Sequence, residues 1–323
     1  MAENGTLRFG DPARYSAGLG DVRINLTITG AGDFNAKLTR LNLKHLDIYR
    51  MHESLPRIAY ISLPPELTYL SFPVGKAAHI FDGIAIRSGD MVLHSRGEHM
   101  HQRTNGHCQW GLISLSPTHF ASCGKALTGR PIEAPPASKI FRPSQAAQSG
   151  FHGLFRQACR LVETRKNLLK YPEVSRALEQ EMLHAIINCV IANEVNDKSK
   201  NSPKSNPKTR HHHADLMARF EEALEKSIDR KLNMPALCAA IGVPERMLRG
   251  CCTEVLGVSP TRYLLLRRLN RARDALRRAN SSRASVAEVA RNHQFLELGR
   301  FSVMYRAIFG ESPSDTLNRD PQT

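Results

Sequence analysis

The chain reads as an α+β protein, with a β-rich N-terminal half, a helical middle and an all-α C-terminal third holding two helix-turn-helix units joined by a long helix. Three observations carry this. Short apolar runs fill residues 20–120, broken by Pro and Gly at a spacing of 8–12 residues, as expected of many short strands. Asn196 to Arg210 is Ser, Asn, Pro and Lys without an apolar residue, the composition of a linker. Finally, Gly257-Val258-Ser259-Pro260 returns 53 residues later as Gly310-Glu311-Ser312-Pro313, and Leu248 returns at the same offset as Phe301. Such a repeat marks a duplicated module.

Size and composition set the frame. At 323 residues with 41% apolar content, two domains with real cores fit. A net charge of +15 favours a polyanionic partner. The seven cysteines show no CxxC spacing, and an odd number closes no disulfide framework. Free thiols in a reducing cytoplasm are the expectation. The N-terminus has no apolar signal region, and no run of about 18 apolar residues exists, so no membrane partner is expected.

In the β-rich half, Arg57 to Leu63 and Leu67 to Val74 read as strands. Ile84 to Leu93 reads as strand, Gly89-Asp90 turn, strand. A small barrel or sandwich follows. Ser144 to Leu169 carries Phe151, Leu154, Phe155, Ala158, Leu161 and Val162 at helical spacing. Pro172 opens a second helix, striped by Val174, Leu178, Met182, Ala185, Ile186, Cys189 and Val190 and widened by Ile187 and Ile191. Two readings of that stripe stay open: intrachain core, or a helix pair between two copies. The resulting division is 1–140 for a β-rich sensing domain, 141–195 for a helical dimerisation segment, 196–213 for a linker and 214–321 for a DNA-binding domain.

Beyond the linker everything is helical. Leu216, Phe220, Leu224 and Ile228 stripe the first helix. Leu237 to Ile241, the turn Gly242-Val243, and Glu245 to Leu256 make one helix-turn-helix. Ala287 to His293, Gln294-Phe295, and Leu298 to Phe309 make another. Ser259-Pro260, the capping box Ser285 to Glu288, and Ser312 to Asp315 open helices. From Arg262 to Arg283, eight arginines stand against one acid, Asp274, which suits phosphate neutralisation. Leu266, Leu269, Ala272 and Leu276 form the buried stripe of that helix, which would set two reading heads about 34 Å apart, one duplex turn.

From Asp215 to Arg319 the sequence resembles the AraC/XylS family of transcription regulators. The carrying residues are Ile241-Gly242-Val243, Leu248, Arg267 to Arg273, Ser285 to Ala290, Phe295, Gly299-Arg300-Phe301, Tyr305-Arg306 and Phe309 to Pro313. In the N-terminal half, Phe72-Pro73-Val74 and Trp110 to Leu115 are faintly similar to an ethanolamine-regulator-like branch. The resemblance implies base contacts from the second helix of each unit, at Arg246, Arg249 and Gly250, then Leu298, Gly299, Arg300 and Val303. Arginine suits bidentate contact with guanine. Arg262, Arg268, Arg271 and Arg306 are assigned to phosphates. Also implied are double-stranded DNA as partner, a homodimer, contact with RNA polymerase, activation rather than repression, and a small-molecule effector in the N-terminal domain. Gln294 departs from the pattern. It stands where the family has a helix-ending glycine, which calls for positive φ in a non-Gly residue.

One stretch offers competing chemistry. His94, His99, His101 and His107 cluster, and Gly97-Glu98-His99-Met100-His101 resembles the metal strand of cupins, which fits a cupin-like barrel or sandwich. His99 and His101 are the metal candidates, with His79 and Glu98 the only further ligands at hand. A metal-dependent cupin enzyme fused to a DNA-binding domain is therefore the alternative function. His45, His52, His119 and His152 are scattered along the chain and suggest nothing. No phosphate-binding loop or nucleophile elbow is present. Neither a catalytic residue nor a cofactor is assigned.

Overall fold

The computed structural model describes residues 4–196, 207–226, 233–280 and 283–319. Most of the linker, from 197 to 206, therefore lies outside the described residues. Among the described residues, twelve strands form two antiparallel sheets. Sheet A is ordered β1 (Gly5–Phe9), β3 (Ala36–Asn42), β4 (Leu46–Glu53), β11 (Cys108–Leu115), β6 (Thr68–Pro73), β9 (Met91–Leu93) and β12 (Lys139–Phe141). Sheet B is ordered β2 (Arg23–Ile28), β5 (Arg57–Ser62), β10 (His99–Thr104), β7 (His79–Phe81) and β8 (Ile84–Ile86). The sheets face each other as a sandwich rather than closing into a barrel. The Gly89-Asp90 turn does not close a hairpin, because β8 pairs in sheet B and β9 in sheet A. Gly89, at φ 91°, takes the chain from one sheet to the other.

The helices are α1 (Pro12–Ala17), α2 (Pro117–Thr128), α3 (Gln145–Thr164), α4 (Pro172–Asn196), α5 (Pro207–Lys226), α6 (Met234–Ile241), α7 (Glu245–Leu256), α8 (Pro260–Arg278), α9 (Val286–Asn292), α10 (Leu298–Phe309) and α11 (Pro313–Leu317). Helix α5 starts inside the stretch read as linker. No described helix is long and apolar enough to cross a membrane.

The period-2 geometry of strands explains the layering. On sheet A, Tyr49, Tyr69, Val92 and Leu112 point into the sandwich. Their neighbours Ile48, Leu70, Met91 and Ile113 point outward to Phe151 and Phe155 of α3 and Met182 and Ile186 of α4. Both faces of the central strands β6, β9 and β11 are thus buried, and these read as mostly apolar runs. The broad stripe of α4 lies in this same cluster. Met182, Ile186, Ile187 and Cys189 of that stripe are core of this chain, while Leu178, Ala185, Val190 and Ile191 are only partly covered.

Sheet B is divided the same way. Ala59 and Ile61 face the sandwich, whereas Ile58 packs with Leu216, Phe220 and Leu248 of the C-terminal region. The chain is therefore a stack of four layers: α2–α4, sheet A, sheet B, then the C-terminal helices. Between the sheets lies a buried polar cluster. Glu53 accepts from Arg57 Nε at 2.7 Å, Tyr15 Oη at 2.8 Å and Trp110 Nε1 at 3.1 Å. Burial pushes the Glu53 carboxyl up, but Arg57 and the other donors outweigh it and hold the group below the usual range.

Several contacts dock the C-terminal region on sheet B and its flanking loops, among them the following. His101 Nε2 of β10 lies 2.9 Å from Glu221 Oε1 of α5. Asn270 of α8 bonds both backbone groups of Ile28 on edge strand β2, accepting from its N at 2.9 Å and donating to its O at 3.0 Å. Gly257, the C-cap of α7, sits against Arg103. Gly32 N donates to Phe309 O at the end of α10, 3.4 Å away.

Candidate nucleic-acid interface

The first unit is built by local sequence rules. Asn233 caps α6 by accepting from Ala236 N, and Gly242 ends the helix at φ 68°. Val243 N then reaches back to Cys238 O at 3.1 Å, the long-range bond of a Schellman turn. Helix α7 follows. It buries Leu248, Cys251, Cys252, Val255 and Leu256 and leaves Arg246, Met247, Arg249 and Gly250 exposed.

The second unit repeats the device. Gln294 stands at φ 62°, and Phe295 N bonds Ala290 O at 2.9 Å. This is the strained glycine substitute expected from the sequence. Helix α10 buries Phe301, Tyr305, Ile308 and Phe309, with Phe295, Phe301, Tyr305 and Phe309 in successive ring contacts of 4.8, 5.5 and 4.7 Å. Its other face exposes Gly299, Arg300, Val303 and Arg306. Leu298 is half-buried and packs on the core, which leaves it less to offer a base. Leu296 was not singled out from sequence, yet it is 79% exposed just ahead of the helix. An isolated Leu in a turn carries no periodic signal that would have found it.

The C-caps Gly257 and Gly310 both rest on the β-domain, against Arg103 and Ala31 respectively. Arg246 and Arg300 sit near the opposite, N-terminal ends of their helices, whereas Arg249, Gly250 and Val303 lie mid-helix. Among the described residues, Arg246 and Arg300 have no ion pair, whereas Arg249 Nη2 lies 2.5 Å from Glu245 Oε1. That pair is solvent-exposed and worth about 0.3–0.5 kcal/mol, so a phosphate or base can displace it.

Helix α8 corrects the picture of eight nearly unpaired arginines. Arg267 pairs with Glu221. Arg273 Nη2 bonds Glu311 Oε1 at 2.7 Å while its guanidinium lies 4.5 Å from the Phe309 ring centre. Arg277 donates to Gly10 O at 2.9 Å. These three hold the fold, and their acids come from distant segments that a local charge count misses. Of the four residues assigned to phosphates, Arg262 and Arg306 are exposed, and Arg268 and Arg271 are half-buried. The Arg268 guanidinium stacks 4.7 Å from the centre of the Phe295 ring.

The cupin-like histidines do not assemble. His99 is exposed and bonds Ser62 Oγ at 2.9 Å. His101 is buried and directed to Glu221. His94 Nδ1 meets Glu98 Oε2 at 2.6 Å, and its Nε2 meets Ser71 Oγ at 2.8 Å. Among the described residues, none of these belongs to a group of three possible ligands with mutually close donor atoms.

Residues 237–319 match a family described as a helix-turn-helix domain. The C-terminal region is an AraC/XylS-type DNA-binding domain. It is similar to that of the XylDLEGF operon transcriptional activator 2 of Pseudomonas putida, 33% identical over 100 residues, which are 31% of this chain and 64% of that protein. It is also similar to the probable thc operon regulatory protein of Rhodococcus erythropolis, 35% identical over 98 residues, 30% of each chain. A longer match, 26% identical over 170 residues, reaches the XylDLEGF operon transcriptional activator of P. putida and covers 53% of this chain and 49% of that one. The chain thus spans about half the length of that relative. The AraC/XylS-type domain accounts for the duplicated phrase, with each copy supplying the end of a second helix and the cap of the helix after it.

Proposed function

We propose that the protein is a sequence-specific DNA-binding transcription regulator, acting as an activator in response to a small-molecule effector. The observation that carries this is the pair of exposed, unpaired arginines, Arg246 and Arg300, on the second helices of two helix-turn-helix units that share α8. Relatives named as operon activators support the direction of regulation. In this reading Arg246, Arg249 and Arg300 read bases, with Gly299 and Val303 beside them, and Arg262 and Arg306 hold phosphates.

The effector would lie between the sheets, where Glu53, Arg57, Gln102 and Tyr15 are among the buried polar groups. Its signal would cross sheet B, whose outer face carries the DNA-binding domain. The regulator would work in the cytoplasm as a homodimer recruiting RNA polymerase. The buried residues of the α4 stripe are used inside the chain, so the dimer surface would be sought elsewhere; Leu168 and Tyr171, exposed before α4, are available. The alternative, a metal-dependent cupin enzyme, has no support from the separated positions of His99 and His101.

Fluorescence anisotropy on the full chain tests the reading. At about 150 mM salt, its own upstream DNA should bind ~1,000-fold or more tighter than a random duplex. Equal affinity for both would overturn sequence-specific regulation.

A further inference from the structure

We propose that His45, His119 and Glu179, with Cys123 beside them, form a transition-metal site of the zinc class, independent of the DNA-binding reading. The sequence scatters these residues over 135 positions, and the fold gathers them. His45 lies between β3 and β4, His119 and Cys123 lie on α2, and Glu179 lies on α4. One nitrogen of each histidine and one oxygen of Glu179 lie within 4.8 Å of one another. The two imidazoles stack with centroids 4.2 Å apart. Cys123 Sγ is 3.7 Å from His119 Nε2, because an i, i+4 spacing puts both on one helix face.

The donor set is chemically specific. Two imidazoles, a thiol and a carboxylate are the ligands of a four-coordinate Zn²⁺, and magnesium or calcium would want oxygen instead. Glu179 is 7% exposed and its Oε2 already accepts from His45 N at 3.0 Å. This backbone bond holds the carboxylate in place, as hydrogen bonds to the ligating groups do in metal sites. Phe120, next to His119, is fully buried in the cluster between sheet A and the helices, which fixes the start of α2 against the sheet. A metal here would clamp α4 to sheet A from one end, tying the helical segment to the sensing domain.

The test uses the full chain with His211, His212 and His213 all changed to Ala, since that run is a second place for metal to bind. After chelator treatment the protein is titrated with Co²⁺ and then with Zn²⁺. One Co²⁺ per chain should bind with the visible bands of a four-coordinate centre, and Zn²⁺ should bleach them. His119→Ala should weaken binding more than the ~10–100-fold expected for losing a supporting partner. Cys123→Ser should remove the thiolate-to-metal charge-transfer band. Glu179→Gln, a change that keeps the side chain's size, should weaken binding if His119→Ala misfolds. Absence of Co²⁺ binding would overturn the proposal. So would binding unchanged in affinity and spectrum in His45→Ala with His119→Ala.

Discussion

His101 of sheet B and Glu221 of helix α5 meet across the domain boundary, Nε2 to Oε1 at 2.9 Å, with both side chains buried. The same carboxylate accepts from Tyr263 Oη at 2.7 Å and pairs with Arg267. One acid of α5 thus ties sheet B to the long helix α8. Burial pushes Glu221 up, but His101, Arg267 and Tyr263 outweigh it and bring it down to about 2.

Glu221→Ala should therefore destabilise by about 3–5 kcal/mol, since it strands the largely buried Arg267. The native pair should also give an acid-sensitive fold. Its contribution is fully present above the ordinary carboxylate range and is lost as pH falls from about 4 towards 2. Thermal melts of wild type and variant should converge over that window. A constant gap down to pH 2 would contradict the assignment.

Asp274 predicts the opposite sign. Burial and the neighbouring Asp11 push it up to about 6, against Arg278, Arg277 and Arg273. An acid raised in the fold destabilises above its unfolded pKa, and the penalty disappears as pH drops through about 6 and below. Asp274→Asn should add about 1 kcal/mol at pH 7.5 and nothing near pH 4, allowing for partial exposure. Denaturant melts at the two pH values read this directly.

For DNA recognition, Arg246→Ala and Arg300→Ala should each flatten base preference, by about 1–3 kcal/mol per guanine contacted. Arg262→Ala and Arg306→Ala should weaken all sequences alike and reduce the salt slope by about 1. Arg268 is a poor control, because its guanidinium stacks on Phe295 and its loss would disturb the second unit itself. Binding curves on one operator and its single-base variants separate the two classes.

Gln294, at φ 62°, predicts a ranking. Gln294→Gly should raise stability by up to about 1 kcal/mol, and Gln294→Val should lower it by about 1 kcal/mol or more. Equal melting temperatures for the Gly and Val variants would show that the turn relaxes at no cost.

Local chemistry was legible in the sequence because its signals are short-range. Ser259 and Ser312 cap α8 and α11 as their Ser-Pro pairs foretell, and Gln294 adopts the backbone its position demands. Ser285 accepts from Glu288 N, which is half of the capping box expected there; among the described residues the complete box forms at Ser312 and Asp315. The apolar run of β5 was equally visible, but which layer covers each of its faces was not. Docking rests on pairs such as Ile28 with Asn270, 242 residues apart, or His101 with Glu221, 120 apart. Nothing in either residue's neighbourhood names its partner. The arginines of α8 failed for the same reason, since Glu221 and Glu311 come from outside the helix. His45 and His119 looked unrelated until β4 and β11, which follow and precede them, were seen to lie side by side.

The side-chain amide of Asn270 imitates a neighbouring strand, completing the outer hydrogen bonds of Ile28 at the border of sheet B. Lifting the long helix would leave that border as a bare ribbon able to recruit another chain. Large-scale separation of the two halves would thus carry a penalty in self-association. Replacing Asn270 should make the protein precipitate before it unfolds.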